Sequence, residues 1–303
     1  MLTGLHIEPT NLCTLKCEGC ARTIFRKQWL KHWKNYSIDI VKLLQFLDIN
    51  LNNMLIYLCG NYGDPIYHPK FYELVTELKA RGAQLKITTN GSYKTTAWWK
   101  KLVAQLDKND TIEFSIDGTP ETFTNYRENG DWKSIKLGID VATAASVRTI
   151  WKYIPFAFNA NDIDNVAQLS IKMGFDGFLL DRSDRYEGEL RDLAPDDENL
   201  IHPRAKGRVK ALDGTADIDA KCDKGNMHYI SADGYYSPCC FIADHRYYYK
   251  TPFGKNKNNY SIANTTISNI LKQNDTVSFY KNIHLTKPLC CTMNCPRLKG
   301  TND

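Results

Sequence analysis

Cys13-Thr14-Leu15-Lys16-Cys17-Glu18-Gly19-Cys20 decides how this 303-residue chain is read. Three thiols share one short stretch at C-x3-C-x2-C spacing. The stretch follows directly on Leu5–Glu8, the first candidate strand, and in parallel α/β folds the loops after the strands carry the chemistry. Three thiolates on one loop can face a common centre, and thiolates are the soft ligands that iron–sulfur clusters use. The count is informative: a [4Fe–4S] cluster held by three cysteines keeps one iron open. A structural zinc site takes four ligands, often as paired C-x2-C units.

Outward from that loop, strands and helices alternate. Candidate strands are Leu5–Glu8, Met54–Cys59, Gln84–Thr89, Thr111–Ile116, Thr149–Phe156 and Gly177–Leu180. Helical spacing of apolar residues fills Ile38–Leu47, Pro69–Arg81, Thr95–Leu106, Trp132–Ala145 and Ile163–Met173. Ser37 reads as the N-cap of the first helix, and Gly82 and Gly174 as helix stops. The alternation predicts parallel strands joined by right-handed crossovers, an α/β fold whose six units make an open sheet or a partial barrel. Residues 183–216 break the rhythm with charge and two prolines, Pro195 and Pro203, and read as a linker or lid. Within 217–303, His228–Ser231 and Tyr235–Ser237 flank Ala232-Asp233-Gly234 as a hairpin. Lys255–Tyr260 reads as a polar loop and Ile267–Lys272 as a short helix.

Composition narrows the class. Hydrophobic residues make up 43% and charged residues 24%, the balance of an ordinary globular protein, and a net charge of +5 marks no clear nucleic-acid partner. No apolar run reaches the ~18 residues of a membrane span. Glu8 interrupts any secretory signal, so a cytoplasmic location without membrane association is expected. Ten cysteines in such a chain read as metal ligands rather than disulfides. Cys59, in an apolar strand, reads as a small buried hydrophobe.

Further motifs follow the next strands. Gly60-Asn61-Tyr62-Gly63-Asp64-Pro65 ends the second strand, with His68-Pro69 close behind; Thr89-Asn90-Gly91 follows the third and Ser115-Ile116-Asp117-Gly118 the fourth. Gly-Asp-Pro alone is common turn chemistry. Four motifs in this order, at the ends of successive strands, resemble the radical S-adenosylmethionine (SAM) superfamily over roughly the first 180 residues. Asp64 stands where that family more often has Glu. The resemblance implies a partial (β/α)6 TIM-like barrel over 1–182, with a [4Fe–4S] cluster on Cys13, Cys17 and Cys20 and SAM chelating the open iron. It further implies reductive cleavage to a 5′-deoxyadenosyl radical that abstracts hydrogen from substrate, with an electron donor such as flavodoxin or ferredoxin. Gly60 and Gly63 would let backbone approach the methionyl group. Asp64 would sit near the ammonium, and Asn90 and Ser115 are candidates for the ribose or carboxylate.

A second cysteine group lies near the C-terminus. Cys222, the G-x4-C that ends at Cys239, and the C-x3-C of Cys291 and Cys295 resemble the SPASM domain of such enzymes, or its shorter Twitch form. This implies a small cysteine-rich domain with a β-hairpin over 217–303, holding one auxiliary [4Fe–4S] cluster on those four cysteines. Adjacent side chains of an extended strand point to opposite faces, so one member of each doublet, 239/240 and 290/291, is expected to reach the cluster. Spacing alone leaves a structural zinc ribbon open.

Other stretches bear on the substrate. Arg26–Lys34 mixes five basic residues with Trp29 and Trp33. It reads as a site for phosphate or an acidic peptide or, by preference, as a solvated helix face with buried indoles. His202–Lys210 reads as a basic loop, Tyr247-Tyr248-Tyr249 as strand or packing surface, and Asp181 and Arg182 as cavity-facing. A peptide or protein substrate is the first expectation. Dehydrogenation of a small polar molecule such as an aminocyclitol or sugar is the second, and a non-catalytic iron–sulfur or zinc-binding module the third.

Overall fold

Six strands lie parallel in register: β1 (Gly4–Ile7), β2 (Leu55–Leu58), β3 (Gln84–Thr89), β4 (Thr111–Ser115), β5 (Arg148–Tyr153) and β6 (Gly177–Leu180). The computed structural model describes residues 2–205, 217–220, 222 and 227–297. Two more strands, β7 (Met227–Ile230) and β8 (Tyr236–Ser237), extend the sheet to the order β6-β5-β4-β3-β2-β1-β7-β8 without closing it. β7 runs parallel to β1, pairing Gly4 with Met227 and Ile7 with Ile230. The C-terminal hairpin therefore continues the barrel sheet. Its turn is as read from the sequence, with Gly234 at φ +82° and its N–H donating to Ser231.

Period-two alternation sorts the side chains. Leu5, Ile56, Leu85, Ile112, Phe114 and Trp151 are buried in the apolar core. With them pack Leu43 and Phe46 of α2 (Ile40–Phe46), Leu74 and Leu78 of α3 (Phe71–Ala80), Leu102 of α4 (Thr96–Val103) and Ile139 of α5 (Trp132–Thr143). The intervening positions His6, Tyr57, Lys86, Thr88, Glu113 and Lys152 share the opposite, concave face. Before these helices α1 (Ala21–Trp29) begins at Cys20, and after them comes α6 (Ile163–Lys172).

Local chemistry corrects several boundaries. Asp39, not Ser37, caps α2, accepting from Lys42 N at 3.1 Å; Ser37 instead meets the Thr10 hydroxyl at 2.8 Å. Tyr247 and Tyr248 lie in a short helix, His245–Tyr248, because Asp244 caps it. Residues 257–260 form a 3-10 turn rather than an open loop, and the helix Asn274–Thr286 was not legible in the pattern. Two 3-10 turns, Gly188–Leu193 and Glu198–Leu200, order the start of the 183–216 stretch. Of that stretch residues 206–216 lie outside the described residues, and with them Lys206–Lys210 of the basic run. Among the described residues no helix is long and apolar enough to cross a membrane.

Candidate active site

The C-x3-C-x2-C loop is tied down from several sides. Leu12 C=O accepts from Asp64 N at 2.9 Å, Lys16 N donates to Glu128 C=O at 3.0 Å, and Asn129 donates to Thr14 C=O at 2.7 Å. Cys13 Sγ accepts from Leu15 N at 3.4 Å and from Asn90 Nδ2 at 3.5 Å. Cys17 is buried, and Cys20 stands at the N-terminus of α1, where helix N–H groups favour negative charge. All ten cysteines of the chain are free thiols. Burial pushes the Cys13 thiol up to about 12 and the Cys17 thiol up to about 11. Both are neutral as they stand, and metal binding would displace their protons.

Two buried arginines flank the thiols. Arg22, 6% exposed, donates to Leu15 C=O and acts on Cys13, yet its Nε is buried without a hydrogen-bond partner. Arg127 pairs with buried Asp117 at 2.7 Å and acts on Cys17. Three thiols beside two buried cations, one carrying an unmatched N–H, fit an anionic iron–sulfur group.

Glu8 organises the neighbouring loop. Its Oε1 accepts from Tyr62 N at 2.7 Å and Gly63 N at 3.0 Å, while Oε2 accepts from Tyr229 Oη at 2.5 Å. Burial pushes its carboxyl up to about 7. The chain itself packs tightly against both glycines. A Cβ on Gly63 would stand 2.0 Å from Thr10 O, and one on Gly60 would stand 2.5 Å from Gly63 O and 2.7 Å from Glu8 Oε1. The space a side chain would claim at either position is filled by the chain itself. Asp64 likewise braces the third loop, accepting from Thr89 Oγ1 at 3.0 Å, Asn90 N at 2.7 Å and Asn90 Nδ2 at 2.5 Å. Asn90 is thereby pressed against Cys13. Ser115, 8% exposed, ends β4 beside Lys152 in register.

The concave face carries polar groups that the sequence reading passed over. Lys86 pairs with Glu113 at 2.7 Å, Thr88 donates to Glu113 at 2.6 Å, and Lys152 pairs with Asp181 at 2.7 Å. Their signal was present as strict alternation, in Leu85-Lys86-Ile87-Thr88 and Ile112-Glu113-Phe114-Ser115. Arg182, expected to face the cavity, turns instead to Asn199 C=O. Cys59 falls one residue past β2 rather than inside it, and His6 donates to its carbonyl at 2.8 Å.

All six C-terminal cysteines line one cavity of about 250 Å³, with His6 and Met227 on its wall. Both members of each doublet border it, contrary to expectation, because neither doublet is extended. Cys239 and Cys240 turn away after β8, and Cys290 and Cys291 open the helix Leu289–Asn294. A further cavity of about 360 Å³ lies between Gly19 and Ala21 of the first cysteine loop, Asn61, the Asp184–Leu190 segment and Cys240.

A family model for the radical SAM superfamily matches residues 7–169, and the chain belongs to that superfamily. The tungsten-containing aldehyde ferredoxin oxidoreductase cofactor-modifying protein of Pyrococcus furiosus is 35% identical over 117 residues, a match that spans 38% of this chain but only 31% of that protein. GTP 3′,8-cyclase of Crocosphaera subtropica is 24% identical, with 78% of this chain and 80% of the cyclase covered. The fold resembles that of anSMEcpe with bound AdoMet, at TM-score 0.64 and 16% identity over 97% of this chain and 86% of the other. BtrN in complex with AdoMet and 2-DOIA follows at 0.53 and 15%, over 98% and 94%. SuiB of Streptococcus suis bound to S-adenosylmethionine gives 0.56 and 14%, over 96% and 77%. These likenesses show the fold, which in this chain is an open, mostly parallel sheet of eight strands.

Proposed function

We propose that this chain is a radical SAM enzyme that removes hydrogen from a peptide or protein substrate. The reaction would take place between its two cysteine groups, with 1–182 as barrel, 183–216 as linker or lid and 217–303 as the auxiliary-cluster segment. A [4Fe–4S] cluster and SAM, once bound and supplied with an electron by a donor such as flavodoxin or ferredoxin, provide the 5′-deoxyadenosyl radical that takes the hydrogen. Cys13, Cys17 and Cys20 would hold the cluster, and Arg22 and Arg127 would balance its charge. The Gly60–Asp64 loop, held by Glu8, would fix Asn90 and Ser115 toward SAM. Four of the six C-terminal thiols, with Cys222, Cys239, Cys291 and Cys295 as the chosen set, would hold one auxiliary [4Fe–4S] cluster able to accept a second electron. Ten free thiols suit a reducing compartment such as the cytoplasm.

The three-thiol loop with the unmatched Arg22 Nε beside it carries this reading. For the substrate, the support is the roomy, charged cavity bordered by both Gly19 and Cys240. SuiB has been solved bound to the precursor peptide SuiA, and anSMEcpe with the Kp18Cys peptide. The paired charges Lys86–Glu113 and Lys152–Asp181 favour a second reading, oxidation of a small polar molecule, since they could grip such a ligand. Anaerobic reconstitution with iron and sulfide, followed by dithionite and SAM, should release 5′-deoxyadenosine, and Cys17→Ala should abolish the release. Undiminished release by Cys17→Ala would refute the assignment.

A further inference from the structure

We propose that an aromatic cleft between the segment 25–36 and the β7–β8 turn docks an acidic segment of a polypeptide. The inference rests on the peptide reading above. Phe25, Trp33, Tyr36, Tyr235, Tyr248 and Tyr249 contribute rings to this cleft, and Tyr62 and His245, 3.3 Å apart, form a wall common to it and the cavity beside the first cysteine loop.

Its volume, about 190 Å³, is below the ~300 Å³ at which sites for whole small molecules begin. It suits one bulky side chain of a longer ligand lying across the surface. Two of the cleft's rings are open to solvent, Tyr36 at 40% and Tyr249 at 63%, and just before Trp33 in the chain Trp29 is 51% exposed and Leu30 64%. The indoles expected to be buried are therefore not, with Trp29 open and Trp33 half-buried on the cleft wall. Tyr248 is only 8% exposed and its hydroxyl has no hydrogen-bond partner, although buried hydroxyls are normally satisfied.

Charge selects the occupant. Arg26, Lys31, His32 and Lys34 are exposed and have no ion-pair partner among the described residues, whereas neighbouring Lys27 is taken by Glu189 at 2.9 Å. Against them stand Asp233, engaged by Ser231 Oγ at 2.5 Å, and the buried Glu8. Lys34 on the cleft wall, Arg26 over the Trp33 ring at 5.8 Å and Lys31 on the same exposed segment give this side of the aromatic slot a positive edge that steers and holds an acidic chain.

The test uses the reconstituted full chain and a short fluorescein-labelled peptide of alternating glutamate and leucine with a central tryptophan. Fluorescence anisotropy should report binding that weakens with salt. Lys31→Glu/Lys34→Glu should weaken it about tenfold or more, and Tyr249→Ala measurably, with release of 5′-deoxyadenosine from SAM unchanged. Equal binding of the lysine counterpart, tighter binding of an oligothymidylate, or no loss in either variant would overturn the proposal. If peptide binding follows this pattern while no 5′-deoxyadenosine forms, the docking surface stands and the catalytic reading falls.

Discussion

Glu8 sits where three pieces of the chain meet: the loop after β2, β1 itself and, through Tyr229, β7. Its carboxyl is raised by burial from 4.5 to about 7. The folded state therefore binds its proton more tightly than the unfolded chain does. That contribution to stability is complete below about pH 4.5 and is lost as pH rises through about 7, an effect of roughly 3 kcal/mol. Glu8→Gln should keep the amide contacts, and the gap in Tm between the two proteins should change across that window and flatten outside it. Gly63→Ala would drive a methyl into Thr10 O and, besides costing roughly 1–3 kcal/mol, should displace the cysteine loop. The check is iron content after reconstitution, which should fall at the first site and persist at the second. Arg127→Met would strand buried Asp117, at a cost of roughly 3–5 kcal/mol read as a lowered Tm. The cysteines, glycines, Asp64 and Asn90 were legible because motifs have spacing. Glu8, Arg22 and Arg127 were not, since each is a lone residue whose meaning depends on neighbours brought to it by folding.

At the level of elements, the six barrel strands were readable from short apolar runs and their helices from helical spacing, with ends off by up to three residues, as at Tyr153 of β5 and Val103 of α4. The partner of β1 was not readable. No local period tells a strand that its neighbour lies more than two hundred residues away, as Leu5 and His228 do. The geometry of the cysteine doublets was misjudged for a related reason: each was treated as strand, yet each follows a proline. Pro238 lacks the N–H to continue β8, and Pro288 leads into the helix Leu289–Asn294. Because β7 covers the edge of β1, a chain ended at residue 205 should expose that edge and the apolar surface the hairpin covers. Size-exclusion chromatography should find it aggregated where the full chain is not.

At the scale of the molecule, two thiol-lined sites share one framework. Replacing Cys13, Cys17 and Cys20 together by alanine should leave about half the iron in place, measured as iron and sulfide per chain, because the six C-terminal thiols form a separate cavity. Complete loss of iron would mean that the second cavity holds no cluster. The first site follows β1 and the second opens beneath β7, its direct neighbour in the sheet. A cysteine-rich unit swinging on a tether would let the gap between two redox centres wander with every fluctuation. Here the β1–β7 rungs tie the two thiol groups to one sheet, so that, were each to hold a cluster, their separation would be set by backbone hydrogen bonds rather than by a tether.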